Sequence, residues 1–445
     1  MALSDIRART YDTTPQTRGM VAGWILLVGL VVAFISPKSC AVTCPVVVLA
    51  FLYAARDTNG LMPLSHYLSQ PIVLGLLAFF GYCGISWSWS LAPAQGLLLL
   101  AYHSALVLSG LAVIYALRSE TDGNLVRIAE GLWIGFLFGL IYLGFDLVSK
   151  GALKSDHLKG LMRISPLEIA RSITPVTLLL GPSLLAIAYG VRDPIRKVLM
   201  VAVLLVAAFD VFISPHETSK IALVLWVLVF LAARITSAWT ARFLALIWFT
   251  LCMMIVPLSL SVYHLNLQKA GWVQPSAQAR IAIWNEHAKR ILETPVFGAG
   301  YNMAYVARLE IRDVTEQVAK HYSTSASKLK PYRAIHPHNV YLQVWYEMGA
   351  LGAVLFLTLG LMVLTLITKI EEHQKPYILA TFAAGAMVLF SSYGMWQSWF
   401  GAAFVYSALA CAIAVEFSSR RRLRGSALDE ATRRVQPPAH AAQTL

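Results

Sequence analysis

The sequence predicts an all-α polytopic membrane protein with about twelve transmembrane helices and one large hydrophilic loop on the outer side of the bilayer. Three observations predict it. Of 445 residues, 58% are hydrophobic and only 13% charged, where a soluble domain carries roughly 25% charged residues. The shortfall runs the whole length of the chain, because apolar runs of about 20 residues, enough to cross a bilayer, recur between short polar gaps. Segments this apolar must be helices, since the hydrocarbon interior offers an open backbone no hydrogen-bond partner. Soluble enzymes, nucleic-acid binders and disordered proteins are excluded as classes.

The twelve candidate spans fall at 20–36, 41–55, 71–91, 96–117, 127–148, 171–189, 197–213, 221–236, 242–262, 346–368, 376–393 and 400–417. The first is expected to stay in the mature chain, because further spans follow it and no small-residue cleavage site does. An even number of spans puts both termini on one side. Arg7, Arg9 and Arg18 precede the first span, and Arg420, Arg421, Arg422 and Arg424 follow the last. The short loops of that same side hold Arg118, Arg127, Arg192, Arg196, Lys197, Arg234 and Arg242, while the opposite short loops are nearly bare of Lys and Arg. By the positive-inside rule the termini are cytoplasmic. The expected organisation is spans one to nine over 1–262, the outer loop over 263–338, spans ten to twelve over 339–417, and a disordered cytoplasmic tail over 418–445.

The net charge of +13 is thus partly a topology signal. Two outer segments exceed it. Residues 149–171 hold Lys150, Lys154, Lys159, Arg163 and Arg171, and residues 263–338 hold ten basic residues against five acidic ones. Long loops are exempt from the orientation rule, so a cationic outer surface suits an anionic partner held at the membrane face. Contact with outer-leaflet head groups is the plainer explanation. The five cysteines, Cys40, Cys44, Cys83, Cys252 and Cys411, have no zinc-ligand spacing and read as apolar filler.

Inside the outer loop, Ile281, Trp284, Ala288 and Ile291 form one apolar stripe, which predicts a helix over 277–292. Arg280, Trp284 and His287 share a face of it. Pro295 stops it, Gly298 and Gly300 supply a turn, and a second helix is expected over 302–320. Then comes Ile335-His336-Pro337-His338-Asn339. Asn339 is a good N-cap for a helix running straight into the tenth span, which puts His338 at a helix start on the outer membrane boundary. The helix dipole there disfavours imidazolium and attracts anions. A neutral imidazole beside an anion site is what a general base next to a phosphate leaving group requires.

His338-Asn339, nine residues, Gly349, two residues and Gly352 resemble the signature of the bacterial O-antigen ligases. Arg280 and Trp284, followed by Pro295, Gly298 and Gly300, are similar to the wider O-antigen ligase and polymerase superfamily. The resemblance implies a GT-C-like glycosyltransferase of the bacterial inner membrane, multi-pass, with its active site facing the periplasm. It implies an inverting transfer, independent of metal and cofactor, of O-antigen polysaccharide from undecaprenyl pyrophosphate to a sugar hydroxyl of lipid A–core oligosaccharide in lipopolysaccharide assembly. His338 matches the family's essential histidine, the base. Arg280 matches an arginine that holds the pyrophosphate, and Arg171 and Arg163 match basic residues before the sixth span. Where the family has Ser-Arg-Gly at the eighth span this chain has Ser219-Lys220-Ile221, keeping the charge and losing the bidentate fork.

The residues agree with that chemistry on their own terms. Charge growing on a departing diphosphate needs a divalent metal or fixed cations, and the outer loops hold arginines and no Asp-x-Asp. No P-loop or dinucleotide fingerprint is present. Trp284, Asn339, Gly349 and Gly352 are read as supporting residues, and His336 as a lesser candidate base. Two readings within the superfamily stay open, an O-antigen polymerase and a protein O-oligosaccharyltransferase. Outside it stand a glycan-binding protein without catalysis and a secondary transporter, the latter because Glu130, Asp146, Asp210 and His103 lie within or at the ends of spans.

Overall fold

The computed structural model describes residues 17–55, 60–92, 94–149, 171–321 and 330–435. A helix stands at each of the twelve predicted spans. In chain order they are α1 (Thr17–Ile35), α2 (Cys40–Ala54), α3 (Pro71–Ser86), α4 (Gln95–Ala116), α5 (Asp122–Val148), α6 (Thr174–Gly190), α7 (Ile195–Ile213), α8 (Glu217–Ile235) and α9 (Ser237–His264). The large loop contributes α10 (Pro275–Glu293) and α11 (Arg312–His321), after which α12 (Val340–Thr368), α13 (Lys375–Ser391) and α14 (Ser398–Val435) complete the bundle. Among the described residues nine helices are long and apolar enough to cross a membrane, and α6 and α13 are shorter apolar helices. The chain is an all-α multi-pass membrane protein.

Small residues bring the helices together. Gly131, Gly135 and Gly139 of α5 face α1, and a Cβ on Gly131 would fall 2.4 Å from the Gly23 carbonyl oxygen. Helices meeting in lipid gain little from burying apolar surface, so this close backbone approach supplies the packing instead. At the centre lies α6, buried at every position from Thr174 to Ile187 between α5, α13 and α14. Its 17 residues reach only about 25 Å, less than the roughly 30 Å hydrocarbon core. A helix sheathed by protein on all sides has no need to match that thickness.

The structure departs from expectation in two places. The helix expected over 302–320 is broken into a turn at Met303–Ala307, a strand at Leu309–Glu310 and α11. Asn302 and Arg308 adopt left-handed backbone (φ 62° and 43°), which ends a helix on either side of that turn. The strand then pairs antiparallel with Arg333–Ala334. The second departure is α14, which runs past 417 to Val435. Arg420 of α14 donates to the carbonyls of Leu117, Arg118 and Glu120 and to the carboxylates of Asp122 and Glu416, fastening the extension to the start of α5.

Candidate active site

The site is assembled at the end of the bundle that carries the large loop, and its hub is the short segment from the last residue of α13 to the start of α14, residues 391–397. Arg280 of α10 donates from Nη1 to Ser391 Oγ at 3.2 Å. His338, just before α12, meets the Ser392 carbonyl oxygen through Nδ1 at 2.7 Å. Thr218, in the first turn of α8, donates to the Ser391 carbonyl at 2.6 Å. His216, one residue before α8, stacks on Tyr393 with ring centroids 5.7 Å apart and planes 10° from parallel. Three helices distant in sequence therefore converge on two serines and a tyrosine.

The His338 contact fixes its chemistry. A carbonyl oxygen only accepts, so Nδ1 carries the hydrogen and the neutral ring keeps its lone pair on Nε2. Burial pulls the imidazole pKa down to about 4, against a smaller upward pull from the Ser392 carbonyl, and Arg280 lowers it further. At neutral pH the ring is an uncharged acceptor. His338 is also held at φ 55°, a left-handed backbone that costs a side-chain-bearing residue on the order of 1–3 kcal/mol. Its neighbours impose that geometry. Trp284 Nε1 donates to the Pro337 carbonyl at 2.9 Å, the His338 amide donates to His336 Nδ1 at 3.2 Å, and Asn339 caps α12 by accepting from the Leu342 amide at 3.0 Å.

The other imidazoles are neutral for the same reason. Burial lowers His287 to about 4, His216 to about 3 and His336 to about 2. Arg280 adds to the effect on His216, and His338, His287 and Arg171 add to it on His336. Arg171 thus lies close enough to His336 for its charge to be felt there. Lys220 sits in the first turn of α8, with Nζ 2.9 Å from Glu217 Oε1. Arg163 lies outside the described residues.

The two glycines of the signature have a structural reason. At Gly349 α12 breaks, with φ 61° and ψ −159°, and the Pro295–Gly300 loop fills the break. The Ala299 and Gly300 amides donate to the freed Tyr346 and Glu347 carbonyls at 2.8 Å each, and the Ala350 amide donates to the Pro295 carbonyl at 2.9 Å. A Cβ on Gly349 would lie 2.3 Å from the Val296 carbonyl oxygen, so only glycine admits the splice. At Gly352 a Cβ would strike Met348 Cβ, at 2.2 Å, where the kink folds α12 back on itself.

The ionisable residues within spans are placed differently. Glu130 is at the surface and pairs with Arg127 at 2.8 Å. His103 is buried against the Leu99 carbonyl through Nδ1, at 2.8 Å. Asp146 and Asp210 are buried on neighbouring helices α5 and α7.

Residues 170–357 match the family described as O-antigen ligase. Over that stretch the chain is similar to the O-antigen ligases. A Rickettsia felis protein described as "Putative polysaccharide ligase" is 23% identical over 338 residues, which cover 76% of this chain and 78% of that one. One from Rickettsia prowazekii is 22% identical over 332 residues, 73% of this chain and 76% of its own. One from Rickettsia conorii is 33% identical over a shorter stretch of 127 residues, 28% and 29% of the two chains. The matched stretch contains Arg171, Lys220, Arg280, Trp284, His338, Asn339, Gly349 and Gly352. It does not contain residues 391–397, which hold Arg280 and His338 in place. The hydrogen-bonded cluster around Arg280 and His338 is completed by chain beyond the matched stretch.

Proposed function

We propose that this protein is an O-antigen ligase, transferring polysaccharide from undecaprenyl pyrophosphate to a sugar hydroxyl of lipid A–core oligosaccharide at the periplasmic face of the bacterial inner membrane. The observation that carries the reading is the pairing of a neutral His338, its Nε2 lone pair free by tautomer, with Arg280 on adjacent residues of one segment. Acceptor activation and leaving-group charge are thereby handled within a few residues of each other.

The acceptor hydroxyl oxygen attacks the anomeric carbon from the face opposite the diphosphate, and its proton passes to His338 Nε2. The bond between the anomeric carbon and the diphosphate oxygen breaks, its electron pair leaves with the phosphate, and the configuration inverts. Arg280, with Arg171, Lys220 and Arg163, receives the growing negative charge. A fixed guanidinium is suited to this because it stays ionised and presents a planar fork to phosphate oxygens. Burial of Arg280 strengthens that interaction by excluding water.

The test uses purified wild type and His338→Ala with lipid-linked glycan, rough lipopolysaccharide and EDTA. A glycan ladder on lipopolysaccharide from wild type alone supports the proposal. Elongated lipid-linked chains with unmodified lipopolysaccharide would instead identify a polymerase. A ladder of equal strength from His338→Ala would remove the histidine from the chemistry.

A further inference from the structure

Glu347 is a carboxylate where the sequence pattern asks for none. It lies in the turn of α12 just before the Gly349 break and is fully buried. Its two oxygens receive four donors: the Asn302 amide at 3.1 Å, the Ala304 amide at 3.2 Å, Gln343 Nε2 at 3.0 Å and the Trp396 indole N–H. Gln343 turns its other end to the hub segment, where Oε1 accepts from the Met395 amide at 2.9 Å. Trp396 is packed from the far side by Tyr301, with ring centroids 4.6 Å apart. One side chain and its helical neighbour thus fasten the 302–304 turn, α12 and residues 395–396 together.

Burying a carboxylate is costly unless its lone pairs are filled, and here donors from three separate segments fill them. What the arrangement fixes is the far end of the 391–397 segment. The near end carries the Ser391 hydroxyl that holds Arg280 and the Ser392 carbonyl that sets the His338 tautomer. Nothing else polar in α12 reaches residues 395–396 from within the bundle among the described residues.

We propose that Glu347 is a positioning residue of the transfer reaction, acting through Trp396 and Gln343 on the segment that orients His338 and Arg280. The proposal rests on the ligase reading for its kinetic arm. Its structural arm, the state of His338, is independent of that reading.

The experiment uses the full chain in lipid nanodiscs with Glu347→Gln, and with Trp396→Phe, which keeps the ring against Tyr301 and removes only the indole donor. Glutamine places an NH2 group among four donors and so cannot hold all of them. The control is Gln374→Leu at the opposite end, where Gln374 Nε2 donates to the Val415 carbonyl at 3.0 Å and to Ser418 and Ser419 hydroxyls at 2.9 and 2.8 Å. That variant loses a buried polar node of similar kind with no link to the site.

Two readouts are taken on each. One is the rate of diethyl pyrocarbonate addition to His338, read by peptide mass spectrometry, which rises as a neutral imidazole is released from its buried seat. The other is kcat and KM for the lipid-linked donor. The expected result is faster addition to His338 in Glu347→Gln and Trp396→Phe than in wild type, and the wild-type rate in Gln374→Leu. With it goes a kcat loss of about 10–100-fold, the usual penalty for losing an orienting partner, while donor KM changes little. An unchanged addition rate, with activity falling only in step with thermal stability as in Gln374→Leu, overturns the proposal. If wild type transfers no glycan yet the addition rate changes as expected, the ligase reading fails and the positioning role stands.

Discussion

Arg280 and Arg420 are both withdrawn from solvent in the same bundle, and they are held in opposite ways. At the loop-free end, Arg420 is ringed by three carbonyls and the carboxylates of Asp122 and Glu416, at 2.9 and 2.7 Å. Arg424 shares Asp122, and Arg422 reaches Glu371 at 3.3 Å. At the site end, Arg280 has a single serine hydroxyl and, among the described residues, no carboxylate within ion-pair distance. Burial consequently draws its pKa below the ordinary value. The first arginine has spent its charge on the fold. The second keeps a charge that no carboxylate among the described residues offsets, beside four histidines that burial keeps neutral.

The comparison breaks most decisively at His338. His338→Ala is expected to lower kcat by about 10²–10⁴-fold, the contribution of a general base, with donor KM little changed. Steady-state rates on purified protein check it. Arg280→Ala follows, with a loss of about 10²-fold or more in kcat/KM. Arg280→Lys should recover only part of it, since an ammonium lacks the planar fork; full activity in Arg280→Lys would show that bare charge suffices. Arg420→Ala should show the converse pattern, a lower melting temperature with unchanged turnover per folded molecule, because removing one partner of a buried pair strands the others. A turnover defect there would erase the distinction between the two ends.

Acid sharpens the same contrast. His338 and His287 titrate near 4 in the folded chain, and His216 and His336 lower still, against about 6.5 when unfolded. The unfolded chain therefore binds more protons below pH 6.5, so stability is full above that value and falls as pH drops from about 6.5 towards 4. Thermal melts across that window, compared with a His216→Phe variant, test it: the variant should lose less. Initial rates should stay level from pH 8 to 6 and fall below about pH 5 as His338 gains its proton. The smallest effect is expected at Lys220, already paired with Glu217. Lys220→Ala should cost less than about tenfold in kcat/KM, within the usual range for a charge partly neutralised by its own ion pair.

The spans were legible because they are apolar runs, nine of them over a bilayer's length, a property that needs no tertiary information. Even α7, which carries Arg196, Lys197 and Asp210, is recognisable by the apolar run between them. His338, Asn339, Arg280 and Trp284 were legible because short spacings place them around a helix start and on one helix face. The hub segment was not. Ser391, Ser392 and Tyr393 read as the polar fringe of an apolar span, and their importance comes from partners more than fifty positions away. Glu347 was hidden in the same way, inside a run that otherwise looks like the entry to a membrane helix, and an ionisable residue at that position was the available signal. His216 had one too, a histidine preceding the Thr218–Lys220 turn. The broken helix at 302–308 depends on left-handed backbone at Asn302 and Arg308, to which neither residue type commits the chain.

The break in α12 also sets a height. Beyond Gly349, residues 350–368 form an unbroken stretch of 19 residues, roughly 28 Å long at 1.5 Å per residue, close to the thickness of the hydrocarbon core. The part before the break, Val340–Met348, is then a pedestal that lifts His338 at most roughly 13 Å above the hydrocarbon edge. On the proposed ligase reading, a lipid carrier would keep its chain in the bilayer while its diphosphate reached that level through the head-group layer. The sugar beyond that diphosphate would then meet the histidine outside the hydrocarbon, and a glycan would not have to enter the membrane to be joined.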